Sequence, residues 1–155
     1  KRILKFLFLN SKNKKKNDLN FFFPKIELEE IVSRNIKLWE LFSKSINSEI
    51  SFFLPPFLPW SKNKSNYTKE EEEISAYIKF TGGVKNTTYF DEIEKDYKKI
   101  VKLFEENCKK NKIKFYDCNI LFQSNKYNSK WLFVDKTHLT DYGNELISEY
   151  MLGKL

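Results

Sequence analysis

The sequence EISFFLPPFLPW, residues 49–60, decides the fold. Ile50 to Leu54 is a continuous apolar run of strand length, and Pro55 and Pro56 end it because proline has no N–H to donate within a sheet. An apolar run of this kind is typical of a strand that is buried on both faces, as the strands of parallel sheets are. The stretch therefore predicts a buried strand of a parallel sheet.

An amphipathic helix is predicted on the N-terminal side of this strand. Apolar residues recur there at spacings of three, four and seven positions, which mark one face of a helix. Pro24 falls before or inside the first turn, where its missing N–H costs nothing. We interpret the stripe as a core face rather than a lipid-facing or partner-facing surface. Its positions are Leu28, Ile31, Val32, Trp39, Phe42 and Ile46.

Two further helices are predicted between this strand and the next. Thr68 and Glu71 have the spacing of a capping box, and the acidic run around them suits the positive end of a helix dipole. A second helix is predicted within residues 87–112, where lysines gather at the C-terminal end. Its apolar face consists of Ile93, Tyr97, Ile100, Val101, Phe104 and Cys108.

A second strand and a last helix complete the pattern. Residues 113–117 (IKFYD) have the length and alternation of a short strand, and Thr140 is a good N-cap for a helix with one apolar side. Strands that alternate with amphipathic helices predict an α/β fold with a parallel sheet. Since such sheets usually contain roughly four to six strands, we expect this one to be incomplete on its N-terminal side.

Length and composition fit a single domain over residues 1–155, in which residues 1–25 show no clear element and residues 26–155 form the α/β portion. No apolar run approaches the ~20 residues of a membrane-spanning helix, so we expect no membrane span. No signal peptide is evident, and a cytoplasmic location is the default expectation. The chain begins with Lys1 and its only methionine is Met151, so we expect a piece of a longer product.

The net charge of +7 raises the question of nucleic-acid binding. Arg2 and Arg34 are the only arginines, and the lysines are spread along the chain among glutamates, whereas nucleic-acid recognition usually needs arginines and aromatic residues on one basic face. We therefore expect no nucleic-acid partner. Cys108 and Cys118 form no metal-ligand spacing with the single histidine, so we expect neither a metal nor a cofactor.

The single histidine lies in the segment FVDKTHLTDYGN, residues 133–144. Asp135 precedes His138 by three positions, just before the helix N-cap, so that its carboxylate can reach the imidazole from the same turn. An aspartate placed there can hold Nδ1–H, fix the tautomer and leave Nε2 free as a general base. The pair by itself does not separate a catalytic arrangement from a structural turn.

The residues around this pair resemble the C-terminal block of the SGNH (GDSL-type) esterases. The family pattern is an apolar pair, Asp-x-x-His-Leu-Thr, then Gly-Asn and an apolar helix, and residues 133–147 match it. Residues 50–73 resemble the family's proline-terminated strand, lysine-bearing loop and acidic helix start. Residues 113–122 resemble the late strand that leads through an aspartate to a Leu-Phe pair. The resemblance covers residues 50–155.

The resemblance implies a three-layer αβα sandwich with a parallel sheet, of the flavodoxin-like SGNH type. It also implies hydrolysis of small acyl esters, such as acetyl groups on sugars, by a serine nucleophile. In the matching positions His138 would be the general base and Asp135 its orienting partner. The expected substrate is a small-molecule or carbohydrate ester.

The sequence departs from the family at the nucleophile. No Gly-Asp-Ser is present, because none of Gly82, Gly83, Gly143 and Gly153 is followed by serine, and the family's oxyanion donors have no counterpart. We therefore expect the nucleophile-bearing N-terminal half to be a missing partner and this chain to be inactive alone. Such a chain should show an open sheet edge or an uncovered apolar face. The alternatives are a non-catalytic SGNH-like binding or interaction module and a basic nucleic-acid-associated protein.

Overall fold

The computed structural model of the chain describes residues 27–81 and 93–155, with the backbone alone for residues 77–81. Its elements in chain order are α1 (Leu28–Ser45), β1 (Ser51–Leu54), α2 (Leu58–Ser61), α3 (Lys69–Thr81), α4 (Tyr97–Lys110), β2 (Lys114–Asp117), α5 (Asn119–Phe122) and α6 (Asp141–Leu152). The segment 1–25 and the start of the helix predicted within residues 87–112 lie outside the described residues.

The two described strands pair in parallel, as the sequence predicts. Ser51 lies opposite Lys114 and Leu54 opposite Asp117, so both strands end at the same edge of the sheet. The prediction of burial on both faces is wrong for most of β1. Leu54 is buried, but the other three residues of the strand are half-buried, and Phe52 packs only partly against the core below α1 and α4. The fold is α/β with a small parallel sheet.

Helices α1 and α4 pack together on one face of this sheet. The core between them is formed by Val32, Ile36, Cys108 and Ile113, with Phe52, Leu103, Phe104 and Phe115 packed against it. The rings of Phe104 and Phe115 are stacked with their centroids 6.3 Å apart. The predicted apolar face of α4 is therefore confirmed at its C-terminal end, where Cys108 is fully buried.

The prediction for the buried face of α1 is largely wrong. Among its predicted core positions only Val32 is buried, whereas the others are 42–49% exposed. The helix buries Ile36 and Glu40 instead, because these residues continue from Val32 at helical spacing on the flank that faces α4. Glu40 accepts a hydrogen bond from Lys37 at 2.7 Å, and this pairing makes a carboxylate tolerable at that position.

A second core lies beyond the carboxyl ends of the strands. Its buried residues come from α2, α5 and the loop before α6, and α6 packs against it through Leu146 and Ile147. The ring of Phe122 meets those of Tyr127 and Phe133 edge to face, at 5.8 Å in both cases. The buried members are Leu58, Phe122, Tyr127, Leu132 and Phe133. This core supports the loop that carries the single histidine.

Both predicted helix starts are confirmed. The Thr68 N–H donates to Glu71 Oε2 at 3.0 Å and the Glu71 N–H donates to Thr68 Oγ1 at 3.4 Å, which is the reciprocal pairing of a capping box. At α6 the Gly143 N–H donates to Thr140 Oγ1 at 3.1 Å. The N-cap of α6 therefore fixes the point at which the histidine-bearing loop ends.

Candidate catalytic dyad

Asp135 and His138 are brought together by a tight turn that Asp135 itself stabilises. Its Oδ1 accepts hydrogen bonds from the backbone N–H groups of Thr137 and His138, both at 2.7 Å, and from Thr137 Oγ1 at 3.1 Å. Aspartate commonly caps turns in this way, because its short side chain reaches the amides two and three residues on. One carboxylate oxygen is thus used to form the turn.

The other carboxylate oxygen holds the imidazole. Asp135 Oδ2 lies 2.6 Å from His138 Nδ1. An ionised carboxylate can only accept, so Nδ1 carries the proton in this pair and the neutral ring presents the lone pair of Nε2. The His138 side chain is 75% exposed and that of Asp135 35% exposed. Asp135 therefore orients the ring through Nδ1, and most of the His138 side chain is accessible to solvent.

Asp135 is kept in its charged form. Partial burial raises the pKa of Asp135, but the hydrogen bonds from His138, from Thr137 and from the two backbone amides outweigh it, and the net pKa lies below its usual value. The carboxylate consequently remains ionised throughout the neutral pH range. An ionised Asp135 can stabilise a positive charge that develops on His138.

The turn is held on both sides by backbone hydrogen bonds. The Val134 N–H donates to the His138 carbonyl at 2.9 Å, and the Thr140 N–H donates to the Leu132 carbonyl at 2.8 Å. Phe133 and Leu139 form an antiparallel bridge between the two arms. The loop is therefore a closed hairpin-like unit, and its tip carries the dyad.

Lys136, between the two residues of the dyad in sequence, has a buried side chain. Its side chain is 4% exposed, and its Nζ lies 3.1 Å from Glu94 Oε1. Its carbonyl accepts the Leu58 N–H at 2.9 Å, which ties the turn to the start of α2. Lys136 therefore joins the dyad turn to the residues that follow β1.

A buried ion pair stabilises the loop that carries Asp135 and His138. The side chains of Lys62 and Glu71 are fully buried, with Nζ and Oε2 2.5 Å apart. Glu71 Oε1 also accepts the Leu132 N–H at 3.0 Å, and Lys62 donates to the Lys130 carbonyl at 3.0 Å. The sequence identified Glu71 only as a helix cap, so its second role in positioning the dyad loop was missed.

An open cavity of about 360 Å³ lies beyond the carboxyl ends of the two strands. This is the edge at which ligands bind in open parallel sheets. Glu94 lines the cavity and also binds Lys136, so the cavity and the dyad turn share one residue. Aromatic and amide side chains contribute much of the lining, among them Trp60, Asn66, Tyr97, Phe122 and Gln123.

A hydrogen-bonded group connects the cavity wall to the end of β2. The Tyr97 hydroxyl donates to Asp117 Oδ2 at 2.5 Å and accepts from Gln123 Nε2 at 3.1 Å. Burial first, and then the hydrogen bond to Asp117, raises the pKa of Tyr97, so that the phenol stays protonated. The rings of Trp60 and Tyr97 are stacked with centroids 5.2 Å apart. In the sequence, Tyr97 was predicted only as part of an apolar helix face, and Asp117 was noted only as the aspartate at the end of a strand.

Asn119 joins the ends of the two strands. Its Oδ1 accepts the Phe57 N–H and the Ser61 hydroxyl, both at 2.8 Å, and its Nδ2 donates to Asp117 Oδ1 at 2.8 Å. All of these groups are buried, so each bond is formed away from water. Asn119 therefore fixes the position of the residues after β1 relative to β2.

Comparison with models of known protein families finds no match to this chain, and comparison with curated proteins finds none either. Within residues 27–81 and 93–155, no three histidine, cysteine or acidic side chains are grouped so that they could hold a metal ion. In the same part of the chain, no helix has both the length and the apolar content that crossing a bilayer requires.

Proposed function

We propose that this chain provides the histidine and the aspartate of a serine-dependent ester hydrolase. His138 acts as the general base and Asp135 orients it. The observation that carries the proposal is the 2.6 Å contact between Asp135 Oδ2 and Nδ1 of His138, whose side chain is 75% exposed. The serine and the oxyanion donors come from a polypeptide outside these 155 residues, because the sequence contains no Gly-Asp-Ser.

In this mechanism Nε2 removes the hydroxyl proton as the serine attacks the ester carbonyl. The resulting imidazolium is stabilised by the ionised Asp135 and then gives its proton to the departing alcohol. Water attacks the acyl-enzyme next, and His138 takes a proton from that water and returns it to the serine. The chain supplies proton transfer and orientation, while the partner polypeptide supplies the nucleophile and the stabilisation of the oxyanion.

The substrate we propose is a small acyl ester, such as an acetylated sugar, whose alcohol part enters the cavity beside the dyad turn. The volume of about 360 Å³ is in the range of small-molecule sites. Its lining of aromatic rings and side-chain amides suits a sugar ring, which has apolar C–H faces and many hydroxyl groups. The contact between Glu94, which lines the cavity, and Lys136 of the dyad turn supports this assignment.

We further propose that the complete fold is a three-layer αβα sandwich. Helices α1 and α4 lie on the sheet face that carries Phe52 and Phe115. On the other face, the Tyr116 hydroxyl donates to the carbonyl of Lys154, just beyond α6, at 3.2 Å. This contact supports α6 as a member of the third layer.

The test begins with the DNA upstream of the coding sequence for this chain. It should encode Gly-Asp-Ser and Gly-x-Asn-Asp, in the same frame or an adjacent one. The joined polypeptide should hydrolyse p-nitrophenyl acetate, and His138→Ala should reduce kcat/KM by at least about 10³-fold. Glu106→Gln, on the exposed surface of α4, is the matched control and should leave the rate unchanged.

Two results would contradict the proposal. One is an upstream region without the serine motif, and the other is a joined polypeptide whose hydrolysis does not depend on His138. Either result would favour the non-catalytic binding module, since that alternative needs the fold without the nucleophile.

A further inference from the structure

One side-chain amide in the cavity beyond the strand ends has an orientation that its neighbours determine. Gln123 follows α5 directly, lines the cavity and is exposed to solvent. Its Nε2 lies 3.0 Å from the carbonyl oxygen of Trp60 and 3.1 Å from the hydroxyl oxygen of Tyr97. A backbone carbonyl can only accept a hydrogen bond, so the amide atom that faces Trp60 has to be the nitrogen. The NH₂ group of Gln123 therefore donates to Trp60.

The contact with Tyr97 requires the same orientation of the amide. The Tyr97 hydroxyl has a single proton, which it donates to Asp117 Oδ2 at 2.5 Å, so its oxygen accepts from Gln123. Burial first, and then the hydrogen bond to Asp117, raises the pKa of Tyr97 and keeps this proton on the phenol. Both partners of Gln123 are therefore acceptors, and both protons of its NH₂ group are used.

The oxygen of the same amide remains for a ligand. Within residues 27–81 and 93–155, no donor meets Oε1 of Gln123. The amide cannot turn its nitrogen toward a ligand without breaking the two hydrogen bonds to Trp60 and Tyr97, which opposes such a rotation. Gln123 consequently offers the cavity a hydrogen-bond acceptor and no donor.

The accessible charge in the cavity is also an acceptor. Among the described residues, two charged ones line the cavity, Lys62 and Glu94. The Lys62 side chain is fully buried, and its Nζ binds Glu71 and the Lys130 carbonyl, so a ligand does not reach it. The Glu94 side chain is 17% exposed. An anionic group that enters the cavity would therefore meet the carboxylate of Glu94, and like charges repel strongly where water is partly excluded.

We propose that the cavity selects an uncharged polyhydroxylated alcohol, and that Gln123 is the specificity-determining residue, which accepts a hydrogen bond from one hydroxyl group of that alcohol. The inference rests on the proposed function, in which the cavity holds the alcohol part of the ester, and it adds which alcohols enter. A hydroxyl group can donate to Oε1, whereas an ionised carboxylate or phosphate cannot. Neutral sugars and related polyols therefore fit the cavity, and uronic acids and sugar phosphates do not.

The test measures binding to the purified 155-residue chain, so it requires neither a serine nor hydrolysis. The probes are the methyl glycosides of glucose, galactose and mannose, each compared with the matching glycoside of the uronic acid. Gln123 is the only glutamine in the chain, so its side-chain NH₂ signals in ¹⁵N NMR are easily assigned. At least one neutral glycoside should shift these signals and the indole N–H signal of Trp60. The matching uronide should bind at least about tenfold more weakly.

Gln123→Met tests the acceptor itself, because methionine keeps the length of the side chain and lacks the oxygen. The dissociation constant of the neutral glycoside should rise about fivefold to tenfold, which corresponds to one lost hydrogen bond. The matched control is Asn35→Met on the exposed surface of α1, outside the cavity, and it should leave the dissociation constant unchanged.

Monodeoxy glycosides separate acceptance of a hydrogen bond from a purely structural role of Gln123. The derivative that lacks the donating hydroxyl should bind the unmodified chain about as weakly as the full glycoside binds Gln123→Met. Gln123→Met should not distinguish the two ligands, because the bond that differs between them is already absent. Equal losses for every deoxy derivative in both chains would contradict the role of Gln123.

Two results with the unmodified chain would overturn the proposal without any variant. One is a uronide that binds as tightly as its neutral counterpart or more tightly, and the other is the absence of shifts with all three neutral glycosides. These failures are distinct from failure of the esterase. An inactive joined polypeptide whose cavity still binds a neutral glycoside through Gln123 would remove the esterase and support the selectivity of the cavity. Hydrolysis that depends on His138, without binding of any neutral glycoside, would remove only the inference about the alcohol.

Discussion

At Asp135 the two carboxylate oxygens have separate tasks: Oδ1 accepts the backbone N–H groups of the turn, and Oδ2 holds the imidazole. Asp135→Asn keeps an oxygen for the turn but places an NH₂ group next to Nδ1. An NH₂ group donates, so Nδ1 must accept and the ring proton moves to Nε2. We expect the neutral imidazole to change from the Nδ1–H to the Nε2–H tautomer, as measured from its ¹⁵N chemical shifts.

The chain contains only one histidine, so this signal can be assigned without ambiguity. Asp141→Asn is the matched control, because Asp141 is exposed in the first turn of α6, and it should leave the tautomer unchanged. An unchanged tautomer in Asp135→Asn would show that the carboxylate does not orient the ring. The role of Asp135 would then be limited to stabilising the turn.

Glu71 is the second residue on which the dyad loop depends. Glu71→Gln removes the charge that pairs with Lys62, although both side chains are fully buried. Breaking a buried ion pair on one side leaves the other charge without compensation, and we expect the free energy of unfolding to fall by about 3–5 kcal/mol. Urea denaturation followed by tryptophan fluorescence measures this loss.

The control for Glu71→Gln is Glu73→Gln on the same helix. Glu73 pairs with Lys69 at 3.9 Å, and both side chains are largely exposed, so the urea midpoint should not move. If both variants lost the same stability, the effect would belong to the α3 sequence in general rather than to the buried pair.

At the scale of elements, Gly143 makes the close approach of α6 to the dyad loop possible. A Cβ added at Gly143 would lie 2.6 Å from the Leu132 carbonyl oxygen and 3.1 Å from Leu139 Cβ. Gly143→Ala should therefore lower the free energy of unfolding by about 1–3 kcal/mol, although alanine is the better helix former. Thermal denaturation followed by circular dichroism measures the change.

Gly153 is the matched control for this substitution. A Cβ there would have its nearest contact at 3.5 Å, and the backbone φ of −71° suits any L-residue. Gly153→Ala should leave stability unchanged or raise it by up to about 1 kcal/mol. If Gly143→Ala changed the free energy of unfolding no more than Gly153→Ala does, the close contact with Leu132 would not matter. Helix α6 would then be able to move away from Leu132 without loss of stability.

Periodicity in the sequence predicted most of the longer elements but could not say which flank of a helix is buried. In α1 the apolar positions extend over more than half of the circumference, and the core uses the side with Val32 and Ile36. Glu40 was missed because a carboxylate is expected in water, whereas here Lys37 pairs with it. Helices α2 and α5 were missed because four residues contain no measurable period.

At the scale of the whole molecule, the dyad was predictable because its two residues are neighbours in sequence. Asp135 and His138 need only one turn to meet, and local turn chemistry determines that turn. The cavity wall was not predictable in the same way. Trp60, Tyr97 and Gln123 are far apart along the chain and come together only because β1 and β2 pair in parallel.

The absence of a serine motif from the sequence leads to a prediction for the purified chain as a whole. An oriented histidine without a nucleophile or an oxyanion site retains only the weak reactivity of imidazole itself, because charge stabilisation usually contributes the largest part of the rate. The 155-residue chain should therefore hydrolyse p-nitrophenyl acetate no faster than an equal concentration of N-acetylhistidine, and a fluorophosphonate probe should not label it.

His138→Ala is the control that distinguishes the two possible sources of any hydrolysis. If the unmodified chain turned over the ester well above the imidazole background and this substitution abolished the activity, a nucleophile would have to lie within the chain. The serine would then have to be sought among the existing serines, starting from those that fluorophosphonate modifies. The proposal of a separate nucleophile-bearing polypeptide would fail, while the role of His138 as the base would remain.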